Sequence, residues 1–399
     1  MEKKQLGAAL IISGILILGG IFYMTSRLRQ QSIVFSPKLM LSALWNSYKK
    51  EYIEPSSGRT LDRQRNDTTT SEGQSYTMLR AVWQDDKETF DRSWQWTKDN
   101  LKRPDSNLSS WLYGKKPDGS YGILEDQGGQ NAATDADTDI AMALLFAGNR
   151  WGDQQYTENA KNIIKDIWNN EIVTINGIPY LAANNIEKNS ASAVIINPSY
   201  FAPYAYRMFA QADPEHDWGA VIDSSYRILK QASISPLDKN SSSGLPPDWI
   251  ALDRKTAALI VPAGSQMTTN YGYDAMRVPF RVALDWEWYK EPRAKELLRQ
   301  YDFLNQEWQD RKIIFASYSH DGQALFNSET PAMYGTSLGY FLVTEPATAE
   351  TVYQNKLQSL YSPDLQDWKK PLGYYDDNWA WFGLALYNHD LVNLFTERE

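Results

Sequence analysis

Apolar residues recur at helical spacing along most of this chain. The pattern is clear from "SPKLMLSALWNSYKKEYI" (36–53), where Leu41, Leu44, Trp45 and Tyr48 share one face. Ser36 is placed to cap that helix, and Pro37 to open it. The same periodicity predicts helices in "DKETFDRSWQWTKDNL" (86–101), "TDIAMALLFAGNRW" (138–151), "YTENAKNIIKDIWNNEI" (156–172), "YFAPYAYRMFAQ" (200–211), "WGAVIDSSYRILKQ" (218–231), "MRVPFRVALDWEW" (276–288), "RAKELLRQYDFLNQEW" (293–308) and "DNWAWFGLALYNHDLV" (377–392). Long turn-rich loops separate them, such as "LYGKKPDGSYGILEDQGGQ" and "DKNSSSGLPPDW". Amphipathic helices joined by long loops, without strand–helix alternation, predict an all-α body. No sequence repeat is visible, which disfavours a solenoid. A ring of helical hairpins and a bundle both fit the helix pattern.

One segment is apolar without periodicity. Residues 6–24 are uncharged, about 19 residues or roughly 28 Å of helix, enough to cross a bilayer core. A cleavable signal peptide is the rival reading, but the run is long for one and the flank "FYMTSRLRQQ" has no A-x-A-like site. The expected organisation is a membrane anchor over 1–29, a linker over 30–36 and one body over 37–399. Lys3 and Lys4 precede the apolar run and Arg27 and Arg29 follow it, so the positive-inside bias is slight. With the amine side inside, the body faces outward, as a single-pass protein of the cell membrane. Cleavage of the segment gives a secreted protein instead.

Charge and composition narrow the chemistry. A net charge of -9 argues against a nucleic-acid partner, since phosphate binding needs a positive surface. There is no cysteine, which excludes disulfides and thiolate chemistry, and the three histidines lie far apart. No metal site and no cofactor are expected. Fifteen Trp and 24 Tyr against 13 Phe suit stacking on sugar rings, and equally a helical core built from large aromatics.

Three acidic features stand out. In "TSEGQSYTMLRAVW" (70–83), Ser71 and Gln74 fit a capping box that starts a helix at Glu72. The helix dipole there favours a charged carboxylate, so Glu72 works as an acid only if burial or another carboxylate overrides the dipole. "NAATDADTDIAMALLFAGNRW" (131–151) places Asp135, Asp137 and Asp139 at a helix start, with Asp135 and Asp139 on one face and Asp137 elsewhere. An EF-hand fails, because Ile140 and Phe146 stand where glycine and glutamate are needed. No Gly-rich loop supports a sugar-nucleotide site, and plain N-capping remains open. In "NYGYDAMRVPFRVALDW" (270–286), Arg277 lies three residues after Asp274, within reach to keep it ionised, or as an ordinary surface pair.

Taken together these segments resemble glycoside hydrolase family 8. "SEGQSYTML" resembles the family's segment with the proton-donating glutamate, "ATDADTDIAMALLFAGNRW" its A-[ST]-D-[AG]-D signature, and "YDAMRVPFRVALDW" the segment with the aspartate base. "SWLYG", "NPSYFAPYAYR", "GLPPDW" and "GYYDDNWAWFGLAL" are similar too, in the family's order. Thr77 departs from the pattern, standing where the family often has glycine. The resemblance implies an (α/α)6 barrel with an open cleft across one end, preceded here by the N-terminal transmembrane helix. It implies Glu72 as general acid, Asp274 as general base, Asp135 holding the sugar at the cleavage point, and Trp111, Asn197, Tyr200, Tyr273 and Arg277 lining the cleft. Asp135 near Glu72 would also raise the acid's pKa against the dipole. The expected activity is inverting, endo-acting hydrolysis of β-1,4 linkages in a polysaccharide. The expected polymer is a β-1,4-glucan or an N-acetylhexosamine chain such as poly-N-acetylmannosamine, with chitosan and xylan less favoured. The expected setting is bacterial exopolysaccharide or biofilm production, with a synthase complex as partner and the protein as a monomer. The alternative is a non-catalytic carbohydrate-binding or assembly protein on the same fold. A polysaccharide lyase is disfavoured by the acidic balance.

Overall fold

The structure, a computed structural model, describes residues 36–395. The apolar segment 6–24 and the anchor expected from it lie outside the described residues. Among the described residues no helix is long and apolar enough to cross a membrane. The site and its scaffold belong to the compact unit that begins at Leu41.

Helices dominate. The first, α1 (Pro37–Tyr52), opens on proline as expected, with the Leu39 N–H donating to Ser36 Oγ. Then come α2 (Ser71–Trp83), α3 (Lys87–Asn100), α4 (Thr134–Trp151), α5 (Gln154–Glu171), α6 (Pro203–Ala212) and α7 (Trp218–Ile234). The chain continues through α8 (Arg277–Tyr289), α9 (Pro292–Gln300), α10 (Phe303–Arg311), α11 (Pro331–Thr344), α12 (Pro346–Val352) and α13 (Tyr374–Tyr387). Where one helix was expected over 293–308 there are two. The chain turns at Tyr301, whose side chain is fully buried, and its carbonyl accepts the Leu304 N–H that starts the next helix.

Alternate helices form an inner ring. α2 packs on α4, α4 on α6, α6 on α8, α8 on α11 and α11 on α13. α13 returns to α2 through Tyr76 against Trp379 and Phe382, and through the buried Arg80–Asp377 ion pair at 2.9 Å. The helices between them, such as α3, α5 and α7, pack outside as hairpin partners. This is the (α/α)6-type arrangement.

The expectation of an all-α body holds for the ring, but the loops carry short antiparallel sheets that were not anticipated. One joins Thr69–Thr70, Leu112–Lys115 and Tyr121–Ile123; another joins Ala193–Ile196, Ile250–Asp253 and Leu259–Ile260. They are two to four residues long, too short for alternation to register in a sequence.

The inner helices approach closely. A Cβ on Gly335 of α11 would lie 2.0 Å from the Trp379 carbonyl oxygen of α13, and one on Gly339 would lie 2.4 Å from the Pro279 carbonyl of α8. These glycines are there to let backbones touch. Thr77 is fully buried and hydrogen-bonded to Thr60 Oγ1 at 2.8 Å, so the larger side chain is accommodated.

Candidate active site

The start of α2 places Glu72. The chain arrives extended through Thr69–Thr70, paired with Leu112 and Tyr113, so the cap falls on Thr70. Its Oγ1 accepts the Gly73 N–H at 3.0 Å, and the Ser71 N–H donates to the Trp111 carbonyl at 3.0 Å. The capping box expected from Ser71 and Gln74 is therefore not formed, and the helix begins one residue earlier. Gln74 reaches outward instead. Its carbonyl accepts the Thr60 N–H at 2.6 Å and its amide donates to Ser93 and Thr97, pinning α2 to α3.

Arg277, the first residue of α8 and only 1% exposed, gathers the acids. Nη1 donates to Glu72 Oε2 at 2.8 Å and to Asp135 Oδ2 at 2.9 Å. Nη2 donates to Asp274 Oδ1 at 2.7 Å and to Ser199 Oγ at 2.8 Å. A surface pair between Asp274 and Arg277 is thereby ruled out in favour of a buried hub. The three carboxylates singled out from the sequence come from residues 72, 135 and 274 and meet at one guanidinium.

Asp135 and Asp139 do lie on one face of α4. Asp135 pairs with Arg277, and Asp139 pairs in a bidentate way with Arg281, one turn further along α8, at 2.9 and 2.7 Å. Asp137 points elsewhere and accepts the Ser109 N–H at 2.8 Å. Capping does not explain Asp135 or Asp137. The N-cap position is Ala133, and no side chain caps the helix.

Burial raises the Glu72 carboxyl to about 7; Arg277 and a hydrogen bond with Tyr76 pull it down, while Asp135 and Asp274 push it up. The conflict with the helix dipole is thus settled first by burial and only then by like charge. Asp135 is raised as well, by burial, against the pull of Arg277 and Arg281. A carboxyl poised near neutrality beside two others is an arrangement suited to donating a proton.

The remaining expected residues are arranged around this hub. The Asn197 side-chain oxygen accepts from Ser199 N and Oγ, at 3.0 and 2.7 Å, and so aims Ser199 at Arg277. The Tyr200 ring lies 5.3 Å from the guanidinium and edge-on to Trp249. Tyr273 is 49% exposed, with its ring edge-on to Tyr375, whose hydroxyl donates to the Tyr273 carbonyl. Trp111 joins through its backbone beside Ser71, and its indole N–H donates to the Gly128 carbonyl at 2.9 Å. Among the described residues no group of three or more His, Cys, Asp or Glu has metal-holding geometry.

Sequence reasoning did not single out Tyr76, Ser199, Tyr375, Asp248 or Glu171. Burial holds the hydroxyls of Tyr76 and Tyr375 well above their ordinary range, with Glu72 adding to it. Glu171, at the end of α5, is fully buried, and neither carboxylate oxygen has a hydrogen-bond partner at bonding distance. Its pKa is raised strongly by burial and then by Asp137. Tyr375 and Asp248 sit inside quoted segments, "GYYDDNWAWFGLAL" and "GLPPDW", so a signal existed. Nothing in the sequence marks Glu171.

Comparison with known proteins adds an independent line. The family model described as Glycosyl hydrolases family 8 matches residues 24–367. The chain is 29% identical to Endoglucanase A of Acetivibrio thermocellus, over 74% of this chain and 59% of that one. It is 30% identical to an Endoglucanase of Escherichia coli K12, over 64% of this chain and 66% of that one. Its match spans between about half and two thirds of the length of such curated relatives. Among solved structures, an endo-1,4-D-glucanase from Vibrio fischeri ES114 superposes with a TM-score of 0.70 at 26% identity, covering 86% of this chain and 94% of that one.

Proposed function

The chain belongs to glycosyl hydrolase family 8, and from that premise we propose that it is an inverting endo-glycosidase cutting β-1,4 linkages in a glucan. Glu72 gives its proton to the glycosidic oxygen as the C1–O bond breaks. Asp274 takes a proton from the water whose oxygen attacks C1 from the opposite face, and Asp135 holds the sugar between them. The observation that carries this reading is the convergence of Glu72, Asp135 and Asp274 on Arg277. Burial raises the Glu72 carboxyl to about 7, so a sizeable fraction carries its proton near neutrality, as the acid role requires. A purely binding protein has no need of a carboxyl held in that state.

A β-1,4-glucan is favoured because similar proteins are named endoglucanases. The apolar run 6–24 supports a membrane anchor with the body outside the cell. That placement fits a role beside an exopolysaccharide synthase, acting on β-1,4-glucan or an N-acetylhexosamine polymer during biofilm formation. The test is incubation with a panel of β-1,4 polymers, following chain length and the anomeric configuration of new ends by NMR. Inverted ends and falling chain length are expected, with E72Q losing about 10²–10⁴-fold in kcat. Retained configuration, or full activity in E72Q, refutes the assignment.

A further inference from the structure

The Asp274 loop is held by a carboxylate distant in sequence. Asp248, in "GLPPDW", turns Oδ1 toward residues 272–275 and accepts three backbone N–H groups there. They come from Gly272 at 3.1 Å, Asp274 at 3.2 Å and Ala275 at 2.7 Å. Its own N–H donates to the Asn270 carbonyl at 2.6 Å, and the next residue's N–H, Trp249, to the Thr268 carbonyl. The side chain is buried. On the other side of the loop Tyr271 exchanges both backbone hydrogen bonds with Tyr318, each at 2.9 Å.

The three donors belong to the turn that leads directly into α8. Met276 N–H bonds the Gly272 carbonyl, Arg277 N–H the Asp274 carbonyl and Val278 N–H the Ala275 carbonyl. The orphan donors of that first turn have no cap in their own segment; Met276 precedes the helix without a side-chain cap. Asp248 fills that role from another part of the chain. The fit is tight: a Cβ on Gly272 would lie 2.7 Å from Asp248 Oδ2. Only glycine lets the loop close onto the carboxylate.

We propose that Asp248 is the positioning residue for the general base: by capping the 272–275 turn it fixes where Asp274 stands relative to the attacked carbon. This rests on the glycosidase reading above. Asp248 touches no substrate in it and acts only through the loop. Arg277 holds the Asp274 carboxylate from the side-chain end, while Asp248 holds the backbone on which that side chain is mounted.

The test uses the full-length protein and four variants, D248A, D248N, G272A and D274A. Amide hydrogen exchange and the kinetics of cellopentaose hydrolysis are measured on each. D248A is expected to exchange the amides of Gly272, Asp274 and Ala275 at least about tenfold faster, while the inner-ring helices stay protected. Its kcat should fall about 100-fold, the cost of roughly 1 Å of misplacement, with KM unchanged within about twofold. Azide should restore turnover in D248A as in D274A. It attacks C1 in place of water, the C1–O bond breaks, and the leaving oxygen takes the proton of Glu72, yielding the inverted glycosyl azide. D248N retains an acceptor oxygen and should keep most of the activity. G272A should mimic D248A with Asp248 intact, because the added methyl group forces the turn off the carboxylate.

Unchanged exchange at the three amides, or kcat within about threefold of wild type in D248A, overturns the inference. So does a D248N variant as impaired as D248A, or an impairment that azide relieves in D274A but not in D248A. If the wild type cleaves neither cellopentaose nor any β-1,4 polymer, the glycosidase reading fails, and the exchange data still decide whether Asp248 holds the turn.

Discussion

Replacing Asp135 with asparagine tests how Glu72, the proposed acid, holds its proton. Glu72 Oε2 and Asp135 Oδ2 accept from the same nitrogen of Arg277 at 2.8 and 2.9 Å, so their charges sit about 5 Å apart. Two like charges at that separation repel by about 3 kcal/mol at an effective dielectric of about 20, roughly two pH units. The shared guanidinium offsets part of this, and burial, the larger cause of the rise, is untouched by the substitution. The expected displacement is therefore about one pH unit. Its sign is fixed: losing a neighbouring anion makes ionisation of Glu72 easier, so its pKa falls below about 7. The acid must be protonated to work, so the basic limb of the kcat/KM profile moves to lower pH. The assay is the pH dependence of kcat/KM for D135N and wild type, each normalised to its own maximum, because lost sugar contacts lower the height without moving the limb. A basic limb in D135N within about 0.3 units of wild type refutes the electrostatic coupling.

Two other outcomes follow from the packing. Because burial and Asp137 raise the Glu171 carboxyl well above the ordinary carboxylate range, the folded state holds that proton more tightly than the unfolded state. Stability from this site is full below the unfolded pKa and is lost as pH rises toward the folded one. E171Q carries no such titration, so its Tm advantage over wild type should widen between pH 5 and pH 9 in thermal melts; parallel curves refute this. G335A inserts a methyl group where Trp379 leaves no room. It should cost about 1–3 kcal/mol in denaturant unfolding, whereas alanine at Gly119 meets no atom and bears only the strain of its φ of +87°, about 1–2 kcal/mol.

What the sequence made legible follows from the range of the forces involved. Glu72, Asp135 and Asp274 stood out because each is embedded in a run of unusual local composition, and helical spacing placed Asp139 beside Asp135 without any structure. The cap of α2 was misplaced by one residue because a two-residue strand pairing with Leu112 and Tyr113 set the backbone at Thr70. That pairing spans more than 40 residues, and no local pattern reports it. Helix α11 escaped the periodicity reading because it is buried nearly all round, with no polar face to contrast with an apolar one. Its glycines, Gly335 and Gly339, lower helix propensity while serving interhelical contact. Asp248 lay in a segment that did stand out, "GLPPDW", but its role was as hidden as that of Glu171, for the same reason. Their roles are set by which backbone or carboxylate the fold brings to them.

The closure of the inner ring by Arg80 and Asp377 has a consequence for how the protein is made. The two residues are 297 positions apart, so the ring cannot shut until α13 has left the ribosome. Until then the apolar faces of α2 and α11 wait for their last neighbour, exposed to water and to other chains. Such late, long-range closure slows folding and invites chaperones to hold the chain open. It also makes the last helix an all-or-none part of the molecule. A chain stopped before Tyr374 lacks not a surface appendage but the wall against which the helix bearing Glu72 packs.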